Sequence, residues 1–396
     1  MKLTKENPFF YNRTYLYLLG FLVTLVITFL EVSKGRHHNF IVFAGASRDF
    51  WLGISPYSEA WIANNGRFFL YMPDFSILFS PFAMLPSWLG PFAWNIFNFS
   101  LFFLSIFNLP AFFSERQKAN MFLFTFLILA QSLLSFQYNI TVAYIFLFAY
   151  SLLERKQYFW AILLIMISGM TKVYGIFQLG LLLCYPQFWR NIGYVVVTGI
   201  ALFLLPLVKL SPSELLPYYQ EWIDILSLHH TSQLFDSIYY VEPFLSLTKP
   251  YYRYVQLGAL CILAVILLLN RKKYDSWAFR AQALGVLMGW TILFSDAAEK
   301  HTYVIALAGY MLWYWSLTER QKIDKIFFWA AFVLLCVVPI DIIIPKPVMN
   351  IICYTLWLNV WIFLFIWIRM VWITFLRHSK SKNQLLYNLV CNTSTT

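Results

Sequence analysis

The sequence predicts an all-α, polytopic transmembrane protein of about 12 spanning helices, with amphipathic helices in its external loops. Hydrophobic residues fill 60% of the 396 positions and charged residues only 12%, so most of the chain's surroundings are hydrocarbon rather than water. Apolar stretches near the length of a bilayer crossing recur along the chain, separated by short loops that hold most of the charge. These runs far exceed the roughly ten alternating residues of a barrel strand. Lipid offers no partner to a free peptide group, so each run must satisfy its backbone internally as a helix.

The candidate spans are 14–32, 68–86, 91–108, 119–135, 140–153, 158–171, 173–186, 191–209, 252–270, 280–296, 302–316, 325–343 and 349–376. The first follows Lys2, Lys5 and Arg13 and is trailed by no small-residue cleavage site, so it reads as an uncleaved signal anchor. The second carries Pro73, Pro81 and Pro86, which predict a half-helix or re-entrant element instead of a crossing. Removing it also lets a basic N-terminus and a basic C-terminus share one side. From residue 155 onward the basic clusters Arg155 and Lys156, Arg190, Arg271 to Arg280, Arg320 to Lys325 and Arg377 to Lys382 all fit the cytoplasmic face. Residues 33–67, 210–251, Asp296 to His301 and Asp341 to Met349 are then external. The first of these loops contains an amphipathic stretch, Phe40 to Leu52, and turn signals at Ser55-Pro56 and Asn64-Asn65-Gly66. The second carries Glu221, Trp222, Asp224, His229, His230 and Asp236 among aromatics suited to the membrane interface. With no internal repeat and no soluble segment, residues 1–396 form a single integral membrane domain.

A net charge of +11 raises the question of nucleic acid, but the basic residues sit in short loops where they orient the protein in the bilayer, so no nucleic-acid partner is expected. Cys184, Cys261, Cys336, Cys353 and Cys391 are widely spaced, which predicts neither a disulfide framework nor a zinc site. His229 and His230 are adjacent, and neighbouring side chains on a helix diverge instead of sharing a metal. No metal and no cofactor are expected. Most of the 20% aromatic content serves packing and interfacial anchoring.

Ionisable groups at the edges of apolar segments are expensive, which makes the few present functional candidates. Asp49 reads either as a base or as an ion-pair partner of Arg48. Asp74, just after Pro73, is either a helix-capping carboxylate or an acid/base group. Lys172 divides two apolar runs and is either a loop marker or a functional cation. Glu299 and His301 share one external turn, while Gln137 and Asn139 place two amides in apolar surroundings.

From about residue 39 to residue 310 the order of features resembles glycosyltransferase family 87, membrane enzymes of the GT-C class that use polyprenyl-phosphate sugars. Asn39-Phe40-Ile41-Val42-Phe43 with Pro56-Tyr57 is similar to the family's first-loop pattern. Tyr71-Met72-Pro73, Pro81, Leu85-Pro86 and Trp94-Asn95 resemble its Y-x-P, L-P and W-x-x-x-N region. Gln137-Tyr138-Asn139 looks like its Q-x-N, Thr171-Lys172-Val173-Tyr174 its lysine motif, and Ser295 to His301 its late S-x-x-x-x-H region. One departure stands out, since Asn39 occupies the place where many members have the first-loop catalytic aspartate. An amide cannot accept a proton as a carboxylate does.

The resemblance implies a GT-C-like fold and an inverting hexosyltransferase that moves a mannose-like sugar from a polyprenyl-phosphate donor to a lipid or glycan acceptor. With Asn39 unable to act as base, either Asp49 takes that role, with Asp74 in second place, or the chain uses another mechanism, or it is not an active transferase. Lys172 and Arg67 are expected to hold phosphate. Gln137, Asn139, Glu299 and His301 would orient sugar or phosphate oxygens, with Tyr71 and Asn39 lining the substrate pocket. The membrane of residence would be the inner membrane of a bacterial cell, with membrane lipids as the remaining partners. Two other classes are compatible with the composition: a transporter or flippase of a lipid-linked sugar, and a structural subunit of an envelope-assembly complex.

Overall fold

The structure, a computed structural model, describes residues 11–228, 236–239, 241, 244, 249–340 and 343–377. Lys2, Lys5, His229, His230, Asp341, Lys382 and Cys391, named from the sequence above, lie outside the described residues. Helices are the regular structure among the described residues. In chain order these are α1 (Arg13–Ser33), α2 (His38–Leu52), α3 (Glu59–Asn65), α4 (Pro73–Leu78), α5 (Ser80–Ala83), α6 (Gly90–Phe107), α7 (Glu115–Leu134), α8 (Asn139–Glu154) and α9 (Tyr158–Thr171). A 3-10 helix, Val173–Cys184, follows, then α10 (Phe188–Phe203), α11 (Pro212–Leu228), α12 (Tyr252–Leu269), α13 (Trp277–Leu293), α14 (Tyr303–Ser316), α15 (Lys322–Ala331), α16 (Lys346–Asn350) and α17 (Leu358–Val371).

Among the described residues, Arg13–Ser33, Gly90–Phe107, Tyr252–Leu269 and Leu358–Leu376, in which α17 continues into the π-helical turn Trp372–Leu376, are long and apolar enough to cross a membrane. Asn139–Glu154, Tyr158–Thr171, Val173–Cys184 and Phe188–Phe203 are apolar but shorter. Fewer helices than the expected dozen meet the length because several apolar runs are divided. The run 349–376 breaks where Trp357 takes a left-handed backbone, φ 53°, and 68–86 breaks into α4 and α5 where Pro81 has no N–H to continue the ladder. The amphipathic stretch Phe40 to Leu52 lies within the helix α2, and the segment 210–251 contributes the helix α11.

One feature of this fold positions the site. Helix α8 carries Asn139 at its first residue and Glu154 at its last, about 22 Å apart at 1.5 Å per residue. Beside it, the 3-10 helix Val173–Cys184 is flanked by Lys172 at its start and Tyr185 at its end, and α13 runs from near Arg280 toward the Ser295 turn. At one end Arg280 forks onto Glu154 (Nε to Oε1 2.6 Å, Nη2 to Oε2 2.7 Å), and the Tyr185 hydroxyl donates to the same carboxylate at 2.7 Å. The opposite ends of the same three elements converge on the polar cluster described below. Close approaches lock the arrangement: a Cβ on Gly175 would lie 2.7 Å from the Ser168 carbonyl carbon, and one on Gly285 2.6 Å from the Gly309 oxygen. Glycine at 175 therefore lets the chain fold back on α9 directly after Lys172.

Candidate active site

The turn between α7 and α8 is held from several sides. Phe136 sits buried in a left-handed conformation, φ 53°, a backbone state that a bulky residue keeps only when its surroundings enforce it. Trp94 Nε1 donates to the Phe136 carbonyl at 3.1 Å, and Asn95 Nδ2 reaches the Leu133 carbonyl at 3.2 Å and Thr28 Oγ1 at 2.9 Å. Asn39 Nδ2 donates to the Ser135 carbonyl at 2.7 Å. These contacts aim Gln137 and Asn139 at two other segments, the Lys172 turn and the turn before α14.

Lys172 Nζ donates to Asn139 Oδ1 at 2.9 Å, and the Tyr174 hydroxyl donates to the same oxygen at 2.8 Å. Asn139 Nδ2 donates to Gln137 Oε1 at 2.6 Å, and Gln137 Nε2 donates to Glu299 Oε2 at 3.1 Å. Glu299 Oε2 is also in ion-pair contact with His301 Nε2. The result is one chain of polar side chains from His301 through Glu299, Gln137 and Asn139 to Lys172. Around its cationic end stand aromatic faces, with the Lys172 ammonium 5.8 Å from the Tyr71 ring centroid and 5.0 Å from that of Tyr174.

The charges of this chain are tuned by opposing effects. Burial lowers the Lys172 ammonium to about 8, with the Glu299 carboxylate opposing it only in part. Burial alone would raise the Glu299 carboxyl, but His301, the Gln137 N–H and Lys172 outweigh it and hold the group at about 2. Glu299 is therefore an anion throughout the physiological range. Its backbone is fixed too: Thr302 N–H donates to the Glu299 carbonyl at 2.8 Å, and Ser132 Oγ donates to the His301 carbonyl at 3.1 Å.

The structure thus brings together Tyr71, Gln137, Asn139, Lys172, Glu299 and His301, with Asn39 tethering the adjoining turn. Three other sequence-nominated residues stand apart from the hydrogen-bonded chain. Asp49 is half-buried and accepts from Trp61 Nε1 at 2.6 Å. Arg48 turns away from it to the Ala83 carbonyl at 2.7 Å, so the expected Arg48–Asp49 pair gives way to an indole and a backbone partner. Helix α2 meets the site at Phe43, whose ring packs edge-on against Tyr71 at 4.9 Å, and Asp49 lies about 9 Å farther along the helix axis. Asp74 is fully buried, with neither carboxyl oxygen partnered by another side chain, and burial pushes its carboxyl up to about 7 despite the N–H groups at the start of α4. Arg67 is exposed beyond the left-handed Gly66.

Sequence reasoning did not count Tyr174 among the site residues, although it closes the quoted Thr171-Lys172-Val173-Tyr174 run. The signal was its spacing: two positions after the lysine, across a turn, it reaches the same amide oxygen. For Asn39 the geometry gives a structural use, since an amide donates to the Ser135 carbonyl where an ionised carboxylate would repel it. Asn39→Asp is expected to lower stability by about 1–3 kcal/mol, read as a drop in the thermal midpoint of the purified protein in detergent. An unchanged midpoint would show that the Asn39–Ser135 bond does not hold the turn.

Chemically, the cluster offers a cation, two amides, a carboxylate–imidazole pair and an aromatic wall at one end of a helical bundle. Such a set can hold a phosphate and orient hydroxyl groups. Among proteins of known families, the model of glycosyltransferase family 87 matches residues 69–295, more than half of the chain. The matched stretch includes Tyr71, Asp74, Gln137, Asn139 and Lys172 and ends just ahead of the turn that carries Glu299 and His301. No curated protein and no solved structure matches the chain.

Proposed function

The chain belongs to glycosyltransferase family 87, and from that premise we propose that it transfers a mannose-like hexose from a polyprenyl-phosphate donor to a lipid or glycan acceptor at the outer face of a bacterial inner membrane. As a membrane glycosyltransferase it uses a sugar donor and an acceptor. In this reading the chain crosses the bilayer about 12 times, counting its shorter and divided apolar helices. The Arg280–Glu154 fork then lies toward the cytoplasm and the polar cluster toward the outside, as the distribution of Lys and Arg favours.

The observation that carries the proposal is the bond from Lys172 to Asn139, which holds an ammonium against aromatic faces at one end of the bundle. A sugar phosphate has a usable leaving group already. What the protein must add is stabilisation of the departing phosphate and activation of the acceptor hydroxyl. Lys172 supplies the first through a charge-assisted contact, Gln137 and Asn139 orient oxygens beside it, and Tyr71 covers the sugar. The sugar's configuration inverts because the acceptor enters opposite the phosphate.

The test is transfer from polyprenyl-phosphate mannose by the purified protein in liposomes, with donor binding followed as pH is varied. Burial holds the Lys172 ammonium at about 8, below the 10.5 of a free lysine, so the cation is present below that value and lost above it. Donor binding is expected to be strongest at neutral pH and to weaken as pH rises through about 8. Binding that stays level to pH 10 would take the phosphate away from Lys172, and movement of intact donor across the bilayer without transfer would point to a flippase.

A further inference from the structure

We propose that His301, oriented by Glu299, is the group that takes the proton from the acceptor hydroxyl, an assignment that rests on the transferase reading above. Proton removal needs a lone pair close to the cation that receives the phosphate. Among the described residues, Glu299 and His301 are the carboxylate and imidazole joined by hydrogen bonds or ion contact to the Lys172 chain. Asp49 is committed to the Trp61 indole, and Asp74 is sealed from solvent.

Geometry assigns the roles within the pair. Glu299 Oε2 is in ion-pair contact with the buried His301 Nε2, and a carboxylate that close favours the tautomer with its proton on that nitrogen. Nδ1 is left with its lone pair and has no hydrogen-bond partner among the described residues. The imidazole keeps 15% of its side-chain surface exposed, so a substrate hydroxyl has a route to it. Both ends are anchored: Ser132 Oγ holds the His301 carbonyl at 3.1 Å, and Gln137 Nε2 holds the Glu299 carboxylate at 3.1 Å. A carboxylate that stays ionised then stabilises the imidazolium as it forms.

The acceptor O–H bond breaks, its proton moving to His301 Nδ1. The oxygen's electron pair forms the new bond to the anomeric carbon. The bond from that carbon to the phosphate oxygen breaks, and its electron pair leaves on the phosphate beside Lys172. His301 and Lys172 stand at the two ends of the side-chain relay through Glu299, Gln137 and Asn139.

The experiment uses the full chain in liposomes, polyprenyl-phosphate mannose as donor and a soluble mannoside as acceptor. His301→Ala is expected to lower kcat by about 10²–10⁴-fold while donor KM changes little, and free imidazole is expected to restore about tenfold of the loss. His301→Gln, which keeps a polar side chain with no titratable nitrogen, should fall equally and covers a failure of alanine to fold. Glu299→Gln is expected to lower kcat with unchanged donor KM, and Glu299→Asp to recover part of it. The assignment is overturned if His301→Ala raises donor KM at unchanged kcat, if imidazole restores nothing to a folded variant that still binds donor, or if Asp49→Asn or Asp74→Asn stops transfer while His301→Ala does not. A wild-type protein that neither binds nor consumes the donor sinks the transferase reading itself and this assignment with it.

Discussion

Replacing Lys172 with methionine is expected to lower kcat/KM for the lipid-phosphate donor by about 10²–10³-fold, or about 2.7–4 kcal/mol of transition-state stabilisation. The ammonium is the cation of the hydrogen-bonded chain, and a departing phosphate is most anionic in the transition state, where the loss is felt most. Stability should move the other way or not at all. Lys172 sits lower when folded than the 10.5 of a free lysine, so at neutral pH the folded state binds this proton less well than the unfolded state. Its contribution to stability improves as pH rises from about 8 toward 10.5. Methionine keeps the apolar stem and removes the buried charge, and Asn139 Oδ1 retains the Tyr174 hydroxyl as partner. An inactive protein with an undiminished thermal midpoint is the expected pair of results. Full transfer activity, or inactivity explained wholly by unfolding, would reject the phosphate-binding role.

Arg280→Met should do the reverse, damaging the fold far from the chemistry. Arg280 and Glu154 have side-chain exposures of 14% and 4%, and the guanidinium also donates Nη1 to the Tyr274 carbonyl at 2.5 Å. Removing it leaves a buried carboxylate with the Tyr185 hydroxyl as its remaining hydrogen-bond donor, a situation that costs about 3–5 kcal/mol. The double substitution Glu154→Met and Arg280→Met should recover much of that, because two apolar side chains need no partner. Unfolding midpoints of the two single variants and the double variant form the cycle that measures it. Additive losses would show that the pair is not coupled. Because α8 and the 3-10 helix each run from this fork to the polar cluster, partial unfolding here is expected to lower donor binding as well.

Much of the site was legible because its parts are short polar interruptions in apolar sequence. Gln137, Asn139 and Lys172 stand out where a polar group is costly, and that cost singles them out without knowledge of their neighbours. Asp49 and Asp74 stand out equally by the same criterion, and composition has no means of ranking them. Their difference lies in what faces them: an indole N–H 2.6 Å from Asp49, and a sealed interior around Asp74. Asn39 shows the same limit in reverse. Its amide looks like a lost carboxylate until the Ser135 carbonyl is seen opposite it, at which point donation is the required property.

The helix ends followed the same division. Residues 158–171 were legible as one uniform apolar run, whereas the break at Trp357 and the 3-10 winding after Lys172 depend on close packing that no local pattern encodes. By itself the sequence determined that this chain is a helical membrane protein and which few polar residues its apolar segments carry, because burying a peptide group or a charge in lipid is an energy charged to each segment alone. Only the tertiary structure decided that His301, Glu299, Gln137, Asn139 and Lys172 form one chain and that Asp49, Asp74 and Arg67 stand outside it. Residues from 137 to 301 meet through long-range packing and hydrogen bonds a few ångströms long, and distances of that kind exist only once the helices are assembled.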